Sequence, residues 1–221
     1  MPRTMPPVLT ARERNAAVRR VARLFRQTTP DQRAAGMGWY RTAWQAARAI
    51  AGDDGAAMAA GVIAALSPRC QWSTNVAWAS AVIHAARTGQ GVPRVHTTVM
   101  RDQAWRIANG EAPLDVLRGP KVRAFYANIV GDPDAVTVDV WAVRAARGDR
   151  PTVPDGRGRL RYADDGTVTA AEYAAYADVY RRAARACGVT PRECQAAVWV
   201  AVRGVKPTDA GFHADAAREA A

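Results

Sequence analysis

Gly119-Pro120-Lys121-Val122-Arg123-Ala124-Phe125-Tyr126-Ala127-Asn128-Ile129, with Thr137-Val138-Asp139-Val140-Trp141 after it, is the stretch on which the reading of this chain turns. Glycine followed by proline predicts a turn and then a helix, because proline is at home in the first helical turn. A loop and a second helix follow, the second opening on the carboxylate of Asp139. Of 31 basic residues 29 are arginines, and the only lysines are Lys121 and Lys206. Arginine stays protonated at any working pH, whereas a lysine amine can shed its proton and attack carbon. Lys121, 18 residues before Asp139, therefore reads as an amine nucleophile with a carboxylate partner. The plain alternative is one incidental cation and one helix cap.

The remaining composition narrows the setting. A chain of 221 residues suits one domain, or two small lobes sharing a cleft, and can bury a sizeable core. Hydrophobic residues make up 49% but aromatics only 7%, and alanine carries much of the difference, which favours closely packed helices. A net charge of +11 points to a polyanionic partner, nucleic acid before membrane, since no apolar run approaches the ~20 residues that span a bilayer. No signal-peptide pattern opens the chain, so a cytoplasmic location is expected. Cys70, Cys187 and Cys194 are too few and scattered for a disulfide framework or a four-thiolate cluster. His84, His96 and His213 stand far apart, so neither a metal nor another cofactor is expected.

Working outward, apolar periodicity predicts helices over about 11–27, 32–50, 56–66, 72–87, 97–109, 139–147, the segment after Thr169, and the segment after Thr190. Thr29-Pro30-Asp31 reads as a break, and Ser73 as the cap of the fourth helix. Ala56 to Leu66 is apolar throughout and should be the buried centre. Thr169-Ala170-Ala171-Glu172 is a capping box. Residues 148–167, rich in Gly, Pro, Asp and Arg, read as a loop insertion with room for a short hairpin. The expectation is seven or eight helices in one all-α domain over 11–208, with loosely ordered tails at 1–10 and 209–221.

Two stretches together resemble the helix-hairpin-helix DNA glycosylases, the superfamily of endonuclease III, the adenine glycosylase and the 8-oxoguanine glycosylase. Gly119-Pro120-Lys121-Val122 looks like the end of that family's L-P-G-V-G hairpin and the lysine that can follow it. Val138-Asp139-Val140 looks like its V-D motif, at the right distance. Upstream, Leu66-Ser67-Pro68-Arg69-Cys70-Gln71 is similar to its L-S-x-Q stretch, whose polar side chain probes the gap left by an extruded base; Arg69 falls there. The resemblance covers roughly 56–147. The hairpin's first glycine is absent, since Val116-Leu117-Arg118-Gly119 occupies its place, and the cluster-binding cysteines of the endonuclease III branch are missing, so no iron–sulfur cluster carries over.

The resemblance implies a two-lobed helical bundle, a monomer, acting on double-stranded DNA through catalytic Lys121 and Asp139. Arg69, Arg118, Gly119, Arg123 and Arg144 would hold DNA, and Trp72, Tyr126 and Asn128 would line a base pocket. Asp139 would stabilise an oxocarbenium-like sugar and accept a proton, while Lys121 would attack C1′ and form a Schiff base, giving a glycosylase with lyase activity. Two alternatives stay open: a glycosylase-like enzyme, of a bacteriophage type, that modifies hypermodified bases instead of excising them, and a non-catalytic DNA-binding protein.

Overall fold

A computed structural model describes residues 8–149, 153–154, 160–161 and 168–203. Ten α-helices account for most of them: α1 (Ala11–Arg26), α2 (Pro30–Ala51), α3 (Ala56–Leu66), α4 (Trp72–Arg87), α5 (Thr98–Ala108), α6 (Pro113–Val116), α7 (Pro120–Ile129), α8 (Val140–Arg147), α9 (Ala170–Cys187) and α10 (Pro191–Arg203). A two-residue ladder, β1 (Val153–Pro154) antiparallel to β2 (Leu160–Arg161), lies in the segment expected to carry a short hairpin. The all-α expectation therefore holds for the described residues, but the helix count was low. The tail after 203 and residues 1–7 lie outside the described residues, as does Lys206.

Two boundaries differ from the reading above, each for a local reason. The break expected at Thr29-Pro30-Asp31 is instead a helix start: Thr29 accepts from Gln32 N, Gln32 reaches back to Thr29 N, and Pro30 sits where no N–H is needed. At α4 the cap position belongs to Gln71, and Ser73 lies inside the helix. The capping box at Thr169 and Glu172 forms as written, and others pair Thr10 with Glu13 and Thr190 with Glu193.

Buried apolar side chains fall into two clusters. The first surrounds α3, whose residues from Ala59 to Leu66 are all buried, with contributions from α2, α4, α5, α6 and α7. The second joins α1, α8, α9 and α10 and includes the tyrosines Tyr176 and Tyr180, both buried. Tyr180 Oη donates to the Ala142 carbonyl at 3.1 Å, so its polar tip is satisfied inside the cluster.

Helices α2 and α10 cross where the clusters meet. A Cβ added to Gly36 would stand 2.3 Å from Ala197 Cα, so only a residue without a side chain permits this approach. The apolar face of α2 runs through Gly36, Trp39, Tyr40, Ala43 and Ala47, spaced as one helical stripe. Among the described residues no single helix is long and apolar enough to cross a membrane; α2 and α3 would qualify as a pair by length and composition, but they are bent by 113°.

The crossing predicts an asymmetry between glycines. Gly36→Ala must push two backbones apart and should lower the urea-derived unfolding free energy by about 1–3 kcal/mol. Gly91→Ala, with nothing within 4 Å of its added Cβ, should change it by less than about 0.5 kcal/mol.

Candidate functional site

A cleft of about 810 Å³ opens between the Ser67–Gln71 loop after α3, the start of α7 and the Thr137–Asp139 segment into α8, with α2, α4, α9 and α10 completing its wall. The loop is held in shape. Ser67 Oγ donates to Ala64 O at 2.9 Å, and Cys70 N to Ser67 O at 3.3 Å. His96 Nδ1 accepts from Thr97 N at 2.9 Å, which leaves Nε2 as the donor to Pro68 O at 2.6 Å. Arg69 takes a left-handed backbone angle, φ 55°, uncommon for a residue with a side chain, and is exposed at the cleft.

Gly119, at φ 84°, precedes α7 in a conformation that suits glycine, and two residues later Lys121 stands half-buried in the first turn. Among the described residues nothing hydrogen-bonds or ion-pairs with its ammonium group. Asp139 caps α8, its Oδ1 accepting from Ala142 N at 2.8 Å. Its Oδ2 accepts from Trp199 Nε1 at 3.0 Å, a bond that reaches across to α10. Both carboxylate oxygens are thus aimed by the protein. Lys121 and Asp139 line the same cleft.

The chain between them is pinned from behind. Asn128 Nδ2 donates to Thr137 Oγ1 at 2.9 Å, Tyr173 Oη to Val136 O at 2.5 Å, and Arg192 N to Pro133 O at 3.1 Å. Four cations, Arg69, Arg118, Lys121 and Arg203, line the cleft against one carboxylate, Asp139, among the described residues. That balance favours an anionic ligand. Four of the seven tryptophans, Trp39, Trp72, Trp141 and Trp199, line it too. Trp39 packs at a tilt against Trp199 at 5.0 Å and Trp72 at 5.8 Å between ring centroids, and Arg203 covers the Trp199 ring at 4.4 Å. Among the described residues no group of three or more His, Cys, Asp or Glu is placed to hold a metal.

With this geometry in view, one comparison places the chain. It belongs to the family of unknown function DUF7178. That family matches residues 5–206, so every residue of the cleft lies within the matched span. No curated protein and no solved structure matches the chain.

Not every residue expected at the site of this DUF7178 member is there. Arg69, Trp72, Arg118 and Gly119 line the cleft. Arg123 does not: its guanidinium donates to Leu114 O at 2.6 Å and Leu117 O at 3.2 Å, closing the exposed carbonyls of α6. Arg144 is 8% exposed and lies over the Trp141 ring at 5.5 Å, so it is part of the packing and not a surface contact for phosphate. Tyr126 is half-buried against the first cluster, away from the cleft, and burial pushes its phenol up from the ordinary value. Asn128, fully buried, lies behind the wall on Thr137. The physical reason is helical depth: Phe125, one turn beyond Lys121, closes the cleft, and Asn128 is nearly a turn deeper.

Gln195, Trp199, Tyr173 and Trp39 were missed as site residues. The signal available was the bias toward tryptophan in an aromatic-poor chain, together with Gln195 and Trp199 at a spacing of four on one helix.

Burial raises the phenol pKa of Tyr40 and Tyr180 well above the usual value, and that of Tyr173 to about 12. An unfolded phenol ionises near ~10, so above that pH the unfolded chain holds fewer of these protons than the folded one. Their contribution to stability is therefore full below about pH 10 and falls as pH rises above it, the share of Tyr173 being lost toward about 12. Urea unfolding at about pH 9 and about pH 11 should show the fall, with Tyr173→Phe reducing its size.

Proposed function

We propose that this protein is a DNA glycosylase with lyase activity, built on the two-lobed helix-hairpin-helix architecture, whose cleft receives one flipped nucleotide. The observation that carries the reading is the convergence of Lys121 and Asp139 on one aromatic, arginine-edged cleft. Two apolar clusters flanking that cleft fit the two lobes, and α6, the Leu117–Gly119 turn and α7 fit the hairpin.

In this reading Arg69 and Arg118, both exposed at the rim, hold backbone phosphates. The base leaves the stack, at a cost of a few kcal/mol, and lies against the tryptophans. The Lys121 amine attacks C1′ while the N-glycosidic bond breaks, its electron pair leaving with the base, which takes up a proton. The attacking nitrogen gives a proton to the Asp139 carboxylate, whose charge also stabilises the cationic sugar. Ring opening yields an iminium linkage between Lys121 and C1′. Loss of a C2′ proton and of the 3′-phosphate then cuts the strand, and water releases the lysine. Asp139 suits its role because two fixed N–H donors hold it as an oriented anion.

Borohydride reduction of the iminium is the direct test. Wild-type protein on a duplex with one abasic site should give a covalent adduct, absent from Lys121→Ala and Lys121→Arg. Asp139→Asn should slow base release by about 100-fold or more. If wild type forms no adduct and frees no base from a broad lesion panel, while still binding duplex in a salt-sensitive way, the protein is a DNA-binding module without this chemistry.

A further inference from the structure

Behind the tryptophans, four polar side chains form a buried row. Asn128, Thr137, Tyr40 and Gln195 are 0, 7, 4 and 3% exposed. Buried polar groups persist where they are paired, and the pairing here has a direction. Asn128 Nδ2 donates to Thr137 Oγ1 at 2.9 Å. Thr137 and Tyr40 both line the cleft. Tyr40 Oη donates to Gln195 Oε1 at 3.0 Å.

The row therefore ends on an amide whose carbonyl is committed. Among the described residues no acceptor takes the two N–H groups on Gln195 Nε2, and Gln195 lines the cleft. One turn further along α10 stands Trp199, which holds Asp139 and packs on Trp39. The amide donors thus share a helix face with the groups that orient the carboxylate. Flat aromatic walls stack any base with little preference, so discrimination falls to the polar edge.

We propose that Gln195 selects the base by donating its amide N–H groups to an exocyclic carbonyl oxygen, so that the cleft takes nucleobases of the uracil, thymine or oxopurine class. This rests on the reading of the cleft as a nucleotide site. A base with an amino group at that position sets donor against donor and leaves buried N–H groups unpaired, which costs far more than a lost methyl contact. Tyr40 acts as a positioning residue. Without its phenolic proton the amide can turn over and offer its carbonyl, and the amino-bearing base is then accepted.

The experiment compares bases that carry either a carbonyl or an amino group at the same ring position, each placed in a single-nucleotide bulge so that pairing does not intervene: hypoxanthine against adenine, and uracil against cytosine. Binding is followed by quenching of tryptophan fluorescence. Wild type should bind the carbonyl member about tenfold or more tightly. Tyr40→Phe and Gln195→Met should each bring the ratio near one, whereas loss of packing alone weakens both members alike and preserves it. If Gln195→Met does not fold by circular dichroism, Tyr40→Phe reads the same ratio. Equal binding by wild type, a preference for the amino member, no binding of either, or a ratio that survives both substitutions overturns the assignment. Borohydride trapping of wild type on an abasic site, which carries no base, separates the two readings. A ratio without trapping keeps the base assignment and removes the lyase; trapping without a ratio does the reverse.

Discussion

The crossing of α2 over α10 is the contact on which the rest of the architecture depends. Gly36 lets the two backbones approach until Ala197 lies where a side chain would stand. From that point the helical repeat sends Trp39 and Tyr40 of α2 and Gln195 and Trp199 of α10 toward the same space. A wider crossing would break the Tyr40–Gln195 hydrogen bond and part the Trp39 and Trp199 rings together. It would also carry Trp199 away from Asp139, because one indole serves both the aromatic wall and the carboxylate. Packing between the two apolar clusters and the geometry of the cleft are in this sense the same set of contacts.

Charge at the cleft is arranged by similar economy. Asp139 shares the cleft with four cations without forming an ion pair among the described residues; its oxygens go to a backbone N–H and an indole N–H. A carboxylate fixed by neutral donors keeps its charge facing outward, where a direct arginine partner would cancel it. The guanidinium groups meanwhile divide by task. Arg123 and Arg144 are spent on structure, over helix carbonyls and an indole ring, and Arg69 and Arg118 remain at the rim. Abundant arginine is therefore a poor guide to which cation meets a ligand, whereas the single described lysine is not diluted in this way.

Much of the local structure was legible because it is written in short-range chemistry. Helices announce themselves through apolar periodicity, and Asp139, Thr169 and Thr190 cap them as side chains that can fold back on nearby N–H groups. The departures are local as well: Pro30 looks like a break, but the Thr29 box makes it a start. Site residues on α7 were harder, since Lys121 and Asn128 share a helix face while differing in depth by about two turns, and depth leaves no mark on a helical repeat.

By itself the sequence determined that the chain is helical, that it is strongly basic, and that one rare lysine precedes one capping aspartate by 18 residues. Tertiary structure alone decided that these two share a cleft, that its walls are tryptophans, and that Tyr40 meets Gln195 from 155 residues away. Helix formation depends on neighbours within a few residues, so one sequence reveals it. Meetings between distant segments depend on which faces pack and how closely, and here that was settled at Gly36, where a missing side chain is visible as a letter but its partner is not.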